Sequence, residues 1–237
     1  MLLAGIFALL AWAGEPWKEK PFTAWSRSEV NKILTESPWA KIISVPPSWA
    51  RIGGEGPEIG TSPVQIGRIP QQTDAERADP SRNPQYGSQN ARLVLRWASA
   101  RTMRTARIRE AQIAGESLAG TPEELLAGES EHYQHILEWD PLVEFTRSTE
   151  AEIRKNSSLW LKRSRNELRA ARVRIRGDAG AKPDSLLFYF EKKDPLTGKA
   201  VIPAEETSVE FIWKLGPAVI SAKFEPHKMV TPAGRDL

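Results

Sequence analysis

The chain has 237 residues, 40% of them hydrophobic and 27% charged, with a formal net charge of +3. That is enough apolar material for the core of one domain or a small pair. Cysteine is absent, which excludes disulfides, thiolate metal sites and a lipid-modified N-terminal cysteine.

The charge is unevenly placed. Residues 82–109 carry seven arginines and no acid, 116–152 are mostly acidic with Arg147 the lone base, and 154–176 turn basic again. Such blocks read first as solvated faces that balance one another in the fold.

In chain order, Leu2–Leu10 is an apolar run followed by Ala11-Trp12-Ala13. The small residues at 11 and 13 fit a signal peptidase, so residues 1–13 are expected to be a signal peptide cut after Ala13. No Lys or Arg precedes the run, so the positive charge comes from the Met1 amine or from an upstream start. The run is too short for a mature membrane-spanning helix.

Ser26 and Glu29 form a capping box ahead of Val30, Ile33 and Leu34, which share one helical face. Pro38 stops that helix, and Lys41–Val45 reads as a strand ended by Pro46-Pro47. Trp25 and Trp39 bracket the helix. The expectation is that they enlarge its small apolar face and pin it to the body, since burying such a ring contributes ~2–3 kcal/mol. The rival reading is an aromatic platform for sugar or peptide ligands. Residues 46–90, with seven prolines and six glycines, read as a long disordered loop. Val64-Gln65-Ile66 is its one place for brief pairing.

From Ala91 the order returns. Leu93, Leu95 and Trp97 share one face of a strand, with Arg92 and Arg96 on the other. Residues 102–114 read as a helix, and Thr121-Pro122-Glu123-Glu124 as a strong helix start. His132–Trp139 alternates as a strand, and 142–156 reads as a helix. Val173 and Ile175 alternate with Arg172, Arg174 and Arg176. Leu186–Phe190, apolar on both faces, reads as a central strand. Residues 194–198 read as a turn. Val209–Leu215 and Ala218–Phe224 read as a hairpin through Gly216-Pro217, a type II′ turn. The order predicts an α+β fold with a mainly antiparallel sheet, two or three helices, a β-rich C-terminal half and a long disordered insertion. The expected division is 1–13, 14–45 docking on the body, the 46–90 loop, and a 91–237 domain.

The stretch "WSRSEVNKILTESPWAK" resembles the opening of a group of uncharacterised exported bacterial proteins. Their pattern is W-x(3)-[ED]-V-x(2)-I-L-T-x-S-P-W-A. The resemblance continues at Arg96-Trp97-x-Ser99-Ala100, at "SVEFIWKLG", at Phe224 with Lys228-Met229-Val230, and at Asp236-Leu237. It implies export, to periplasm or exterior, and one shared architecture. It carries over no activity and no catalytic residue.

Chemistry is sparse. Glu131, His132, His135 and Glu138 would share one face of a helix and could hold a divalent ion. On the preferred strand, His132 and His135 point to opposite faces and that site dissolves. Gly115–Gly120 is one residue too long for a nucleophile elbow, and no phosphate loop or dinucleotide fingerprint occurs. The pairs Glu123-Glu124 and Glu205-Glu206 sit in turn-like surroundings and define no glycosidase. No cofactor is indicated.

Arg172, Arg174 and Arg176 would form a cationic row about 6.5 Å apart, with Arg92 and Arg96 extending it from another strand and Arg101, Arg104 and Arg109 from the helix. The plain alternative is an edge strand guarded by charge. The basic stretches lack interleaved aromatics, which argues against nucleic acid. The expected function is a non-catalytic envelope module contacting an envelope protein or an anionic envelope polymer. The competing expectation is a periplasmic hydrolase or metal-dependent enzyme using His132 and His135.

Overall fold

The computed structural model describes residues 14–45, 51–52, 91–128, 130–139, 144–145, 148–177, 183–215 and 218–237. The expected signal peptide, the 46–90 loop apart from residues 51–52, and the Gly216-Pro217 turn lie outside the described residues.

A short helix α1 (Pro16–Glu19) and a 3-10 turn (Phe22–Ala24) lead into α2 (Arg27–Glu36). The Ser26 capping box forms as read: the Ser26 side chain accepts from the Glu29 N–H, and the Glu29 carboxylate accepts from the Ser26 N–H. The carboxylate of Glu29 is held down at about 2, chiefly by hydrogen bonding to Lys20 and to the Ser26 backbone. Two strands then open the main sheet, β1 (Ala40–Val45) and, after the short β2 (Arg51–Ile52) that lies outside it, β3 (Ala91–Trp97). Next come α3 (Arg101–Ala114), α4 (Pro122–Ala127), β4 (His132–Trp139) and β5 (Glu144–Phe145).

The helix expected over 142–156 is shorter than read. It is α5, Glu150–Lys155, opened by a Thr149–Glu152 capping box, while Glu144–Phe145 is extended and pairs in parallel with Arg51–Ile52. Beyond it lie β6 (Ser157–Leu161), β7 (Asn166–Arg169), β8 (Arg172–Arg176), β9 (Ser185–Glu191), β10 (Val209–Leu215) and β11 (Ala218–Phe224). A last pair, β12 (Val230–Thr231) and β13 (Gly234–Arg235), closes the described chain.

The protein is therefore α+β, β-rich and mainly antiparallel. One sheet has the order β1-β3-β4-β9-β8 and the other β11-β10-β6-β7. Their inner faces meet as a sandwich, as alternating apolar positions require. Trp97, Phe188 and Phe190 from the first sheet pack edge-on against Phe211, Trp213 and Phe224 from the second, with centroids 4.9 Å apart for Phe188–Phe211 and 5.3 Å for Trp97–Phe224. The 14–45 segment does more than dock, because β1 pairs with β3 over six residues and becomes the edge of the first sheet.

The chain passes between the sheets at a two-residue corner. The Ala170 N–H donates to Ser157 of β6, and the next N–H, of Ala171, donates to Tyr189 of β9. β7 and β8 are thus nearly one strand that changes sheets at a bend.

On the first sheet's outer face, α2 packs over β1 and β3, and α3 packs against α2. A long-range latch holds them. The Asp236 carboxylate accepts from the N–H groups of Arg101 (2.6 Å) and Thr102 (2.8 Å), and its carbonyl accepts from the Trp39 indole at 2.7 Å. α3 has no cap from Ala100, so its first N–H groups are satisfied by a residue more than a hundred positions away.

Candidate functional site

The outer face of the first sheet is left partly open between α3 on one side and β8 on the other. The register fixes what meets there: Val94, Glu138, Ser185 and Arg176 lie in one row across β3-β4-β9-β8, and Arg96, Ile136, Leu187 and Arg174 in the next. Val173 and Ile175 of β8 turn to the core, so all three arginines of that strand leave on the open face, as period two demands.

Each arginine meets different surroundings. The Arg172 guanidinium lies over the Tyr189 ring, with Cζ 4.0 Å from the centroid. Arg174 donates to Glu150 at 3.2 Å, and the other Glu150 oxygen accepts from the Ile175 N–H at 3.0 Å. α5 therefore covers part of the free edge of β8. Arg176 borders a hollow of about 590 Å³ with Arg107, Ile136, Glu138, Asp184 and Ser185. Arg107 reaches in from α3 and pairs with both Glu138 and Glu110.

Two arginines expected to lengthen the row do not. Arg96 is 7% exposed, pairs with Glu138, and donates from Nε to the Leu34 carbonyl at the end of α2. Burial pulls its pKa down while Glu138 opposes the shift. It ties helix to sheet, a role its alternation with Leu95 and Trp97 concealed. Arg92 is exposed on the same face, but β4 and β9 separate its strand from β8. Nor do the helix arginines join the row: Arg104 donates to the Leu125 and Gly128 carbonyls, binding α3 to α4, and Arg109 donates to the Trp25 carbonyl.

Trp25 and Trp39 are buried, at 4% and 0% exposure, and so present no platform. Trp25 donates to the Pro16 carbonyl at 3.2 Å, and Trp39 meets Trp17 edge-on at 5.4 Å.

The structure does not bring the histidine set together. His132 leaves β4 outward and meets Glu191 at 3.3 Å. His135 points into the sandwich, fully buried, with neither ring nitrogen hydrogen-bonded. Glu131 is exposed before the strand, and Glu138 is engaged by two arginines. Among the described residues no group of three or more His, Asp or Glu could hold a metal.

Arg107, Asp184 and Ser185 were not singled out by the sequence. Arg107 falls within the helical arginine run, and the Glu110 three residues on is its only local signal. Asp184 and Ser185 become neighbours of Arg176 only through the β8–β9 register.

No helix among the described residues is long and apolar enough to cross a membrane. Comparison with known protein families, curated proteins and solved structures finds no match to this chain.

Proposed function

We propose that this is an exported, non-catalytic cell-envelope module that holds an anionic envelope polymer against the arginine face of its first sheet. The observation that carries this reading is the emergence of Arg172, Arg174 and Arg176 on one side of β8, beside a hollow that Arg107 enters from the opposite wall. Guanidinium groups suit carboxylate and phosphate oxygens because their planar fork matches two acceptors at once. Export rests on the Leu2–Ala13 pattern and on the resemblance of the Trp25–Lys41 stretch. The enzyme alternative lacks support, since its two histidines lie on opposite faces of β4.

Retention of the purified protein on anionic envelope fractions tests the reading. Exposed charges more than about 8 Å apart are screened near 0.15 M salt, so retention should fall as salt rises. The triple variant R172Q/R174Q/R176Q should lose about tenfold in affinity, the sum of exposed contacts of ~0.3–1 kcal/mol each. Equal retention of wild type and triple variant at every salt concentration would reject the proposal.

A further inference from the structure

The second sheet carries an exposed tryptophan that no element covers. Trp160 is 37% exposed, whereas Trp17, Trp25, Trp39, Trp97, Trp139 and Trp213 are each 9% exposed or less. Its neighbours Leu159 and Leu161 are buried in the sandwich, so strand alternation aims Trp160 at the outer face. On either side, the residues directly opposite it are Glu210 of β10 and Glu167 of β7.

One step along the same face of β6 is Ser158, about 6.7 Å away along a strand. Beside it opens a hollow of about 200 Å³ lined by Lys155, Asn156, Ser158, Glu167, Arg169 and Lys214. Cations outnumber acids three to one in that lining. Lys155 and Lys214 form no ion pair among the described residues, and Arg169 approaches Glu167 only at 3.9 Å.

We propose that this face binds an acidic glycan, a chain of pyranose rings bearing carboxylates. One ring stacks by its C–H face on Trp160, its hydroxyls donating to Glu167 and Glu210. The carboxylate of the neighbouring ring enters the hollow between Lys155, Arg169 and Lys214. The topology favours a sugar over a peptide strand: β6 lies between β10 and β7, so its backbone is already paired and offers no edge for strand addition. Recognition here uses side chains on a flat surface, which suits a saccharide ring. The unpaired cations supply the preference for an acid.

The test is titration of the full chain with tetra-galacturonate and with a neutral glucose tetraose, followed by calorimetry and by tryptophan fluorescence. Wild type should bind the acidic probe about tenfold more tightly than the neutral one, with an affinity that falls as salt rises. Trp160→Ala should weaken both probes about tenfold, and Trp160→Phe should restore most of the loss. K155Q/K214Q should abolish the preference and leave weak neutral binding. Unaltered thermal unfolding shows that the exposed substitutions leave the fold intact. In R172Q/R174Q/R176Q the part of the binding that Trp160→Ala removes should persist unchanged, even where the total uptake of the acidic probe falls, which separates this site from the arginine face. Any of four results overturns the proposal: no binding of either probe at millimolar concentration, binding indifferent to Trp160→Ala, binding lost in the arginine triple variant, or a sedimenting dimer that Trp160→Ala dissolves in the absence of saccharide binding.

Discussion

His135 sits among Trp97, Phe190, Phe211 and Phe224, with the Trp97 ring 4.3 Å from its own centroid and no charged group in that shell. Burial pushes its pKa from 6.5 down to about 3. The folded protein thus keeps the imidazole neutral, while the unfolded chain protonates it near pH 6.5. The stability attached to this group is complete above that pH and drains away as pH falls toward 3, at ~1.4 kcal/mol per pH unit. Urea unfolding at pH 7.5 and pH 5 should show wild type losing on the order of 2 kcal/mol between the two. Leu or Phe at this position should flatten that interval, and should gain ~1 kcal/mol at neutral pH by removing an unsatisfied buried N–H. The carboxylates held low by hydrogen bonds, Glu29 and Glu206, begin to act only below about 4.5, so between pH 7.5 and 5 the His135 loss is read free of them, and the two overlap only at lower pH. An undiminished slope in His135→Leu would refute the assignment. Nothing local in Tyr133-Gln134-His135 announces this burial, because alternation gives the face and not what lies opposite it.

At the scale of elements, caps and edges decide more than propensity does. Asp236→Ala leaves the first N–H groups of α3 without their acceptor and should cost ~1–2 kcal/mol in chemical denaturation. Asp236→Asn, which keeps one good acceptor, should cost less. Glu150→Ala bares the Ile175 N–H on the edge of β8 and releases Arg174. Its expected signature is a small loss of stability, ~1 kcal/mol, with faster aggregation by light scattering as the edge becomes available. Legibility followed the cleanness of each pattern. β3, β4, β8, β9, β10 and β11 alternate or run apolar, and their residues read directly as strands. β6 carries no such signal, because its apolar run is only the three residues Leu159-Trp160-Leu161 behind two serines, too short to define a period or a buried strand. β7 has only Leu168 to mark it, and pairing with β6 holds it in place. The helix expected over 142–156 occupies only Glu150–Lys155, and the Thr149–Glu152 capping box is the signal that marks its true start.

For the molecule as a whole, the chain visits the sheets in turn: β1, β3 and β4 in the first, β6 and β7 in the second, β8 and β9 in the first, β10 and β11 in the second. Fold class followed from composition and element order, but this interleaving did not, because the Ala170-Ala171 corner carries no glycine or proline to signal a change of direction. The arginine row was legible for the same reason that β8 was. Its supposed extensions were not, since Arg96 and Arg92 share the row's face yet one is buried and the other has two strands between it and β8. The bond from the Trp39 indole to the Asp236 carbonyl spans 197 positions. A polypeptide leaving the ribosome in order therefore makes this bond last, after α2 has already met β1, β3 and α3.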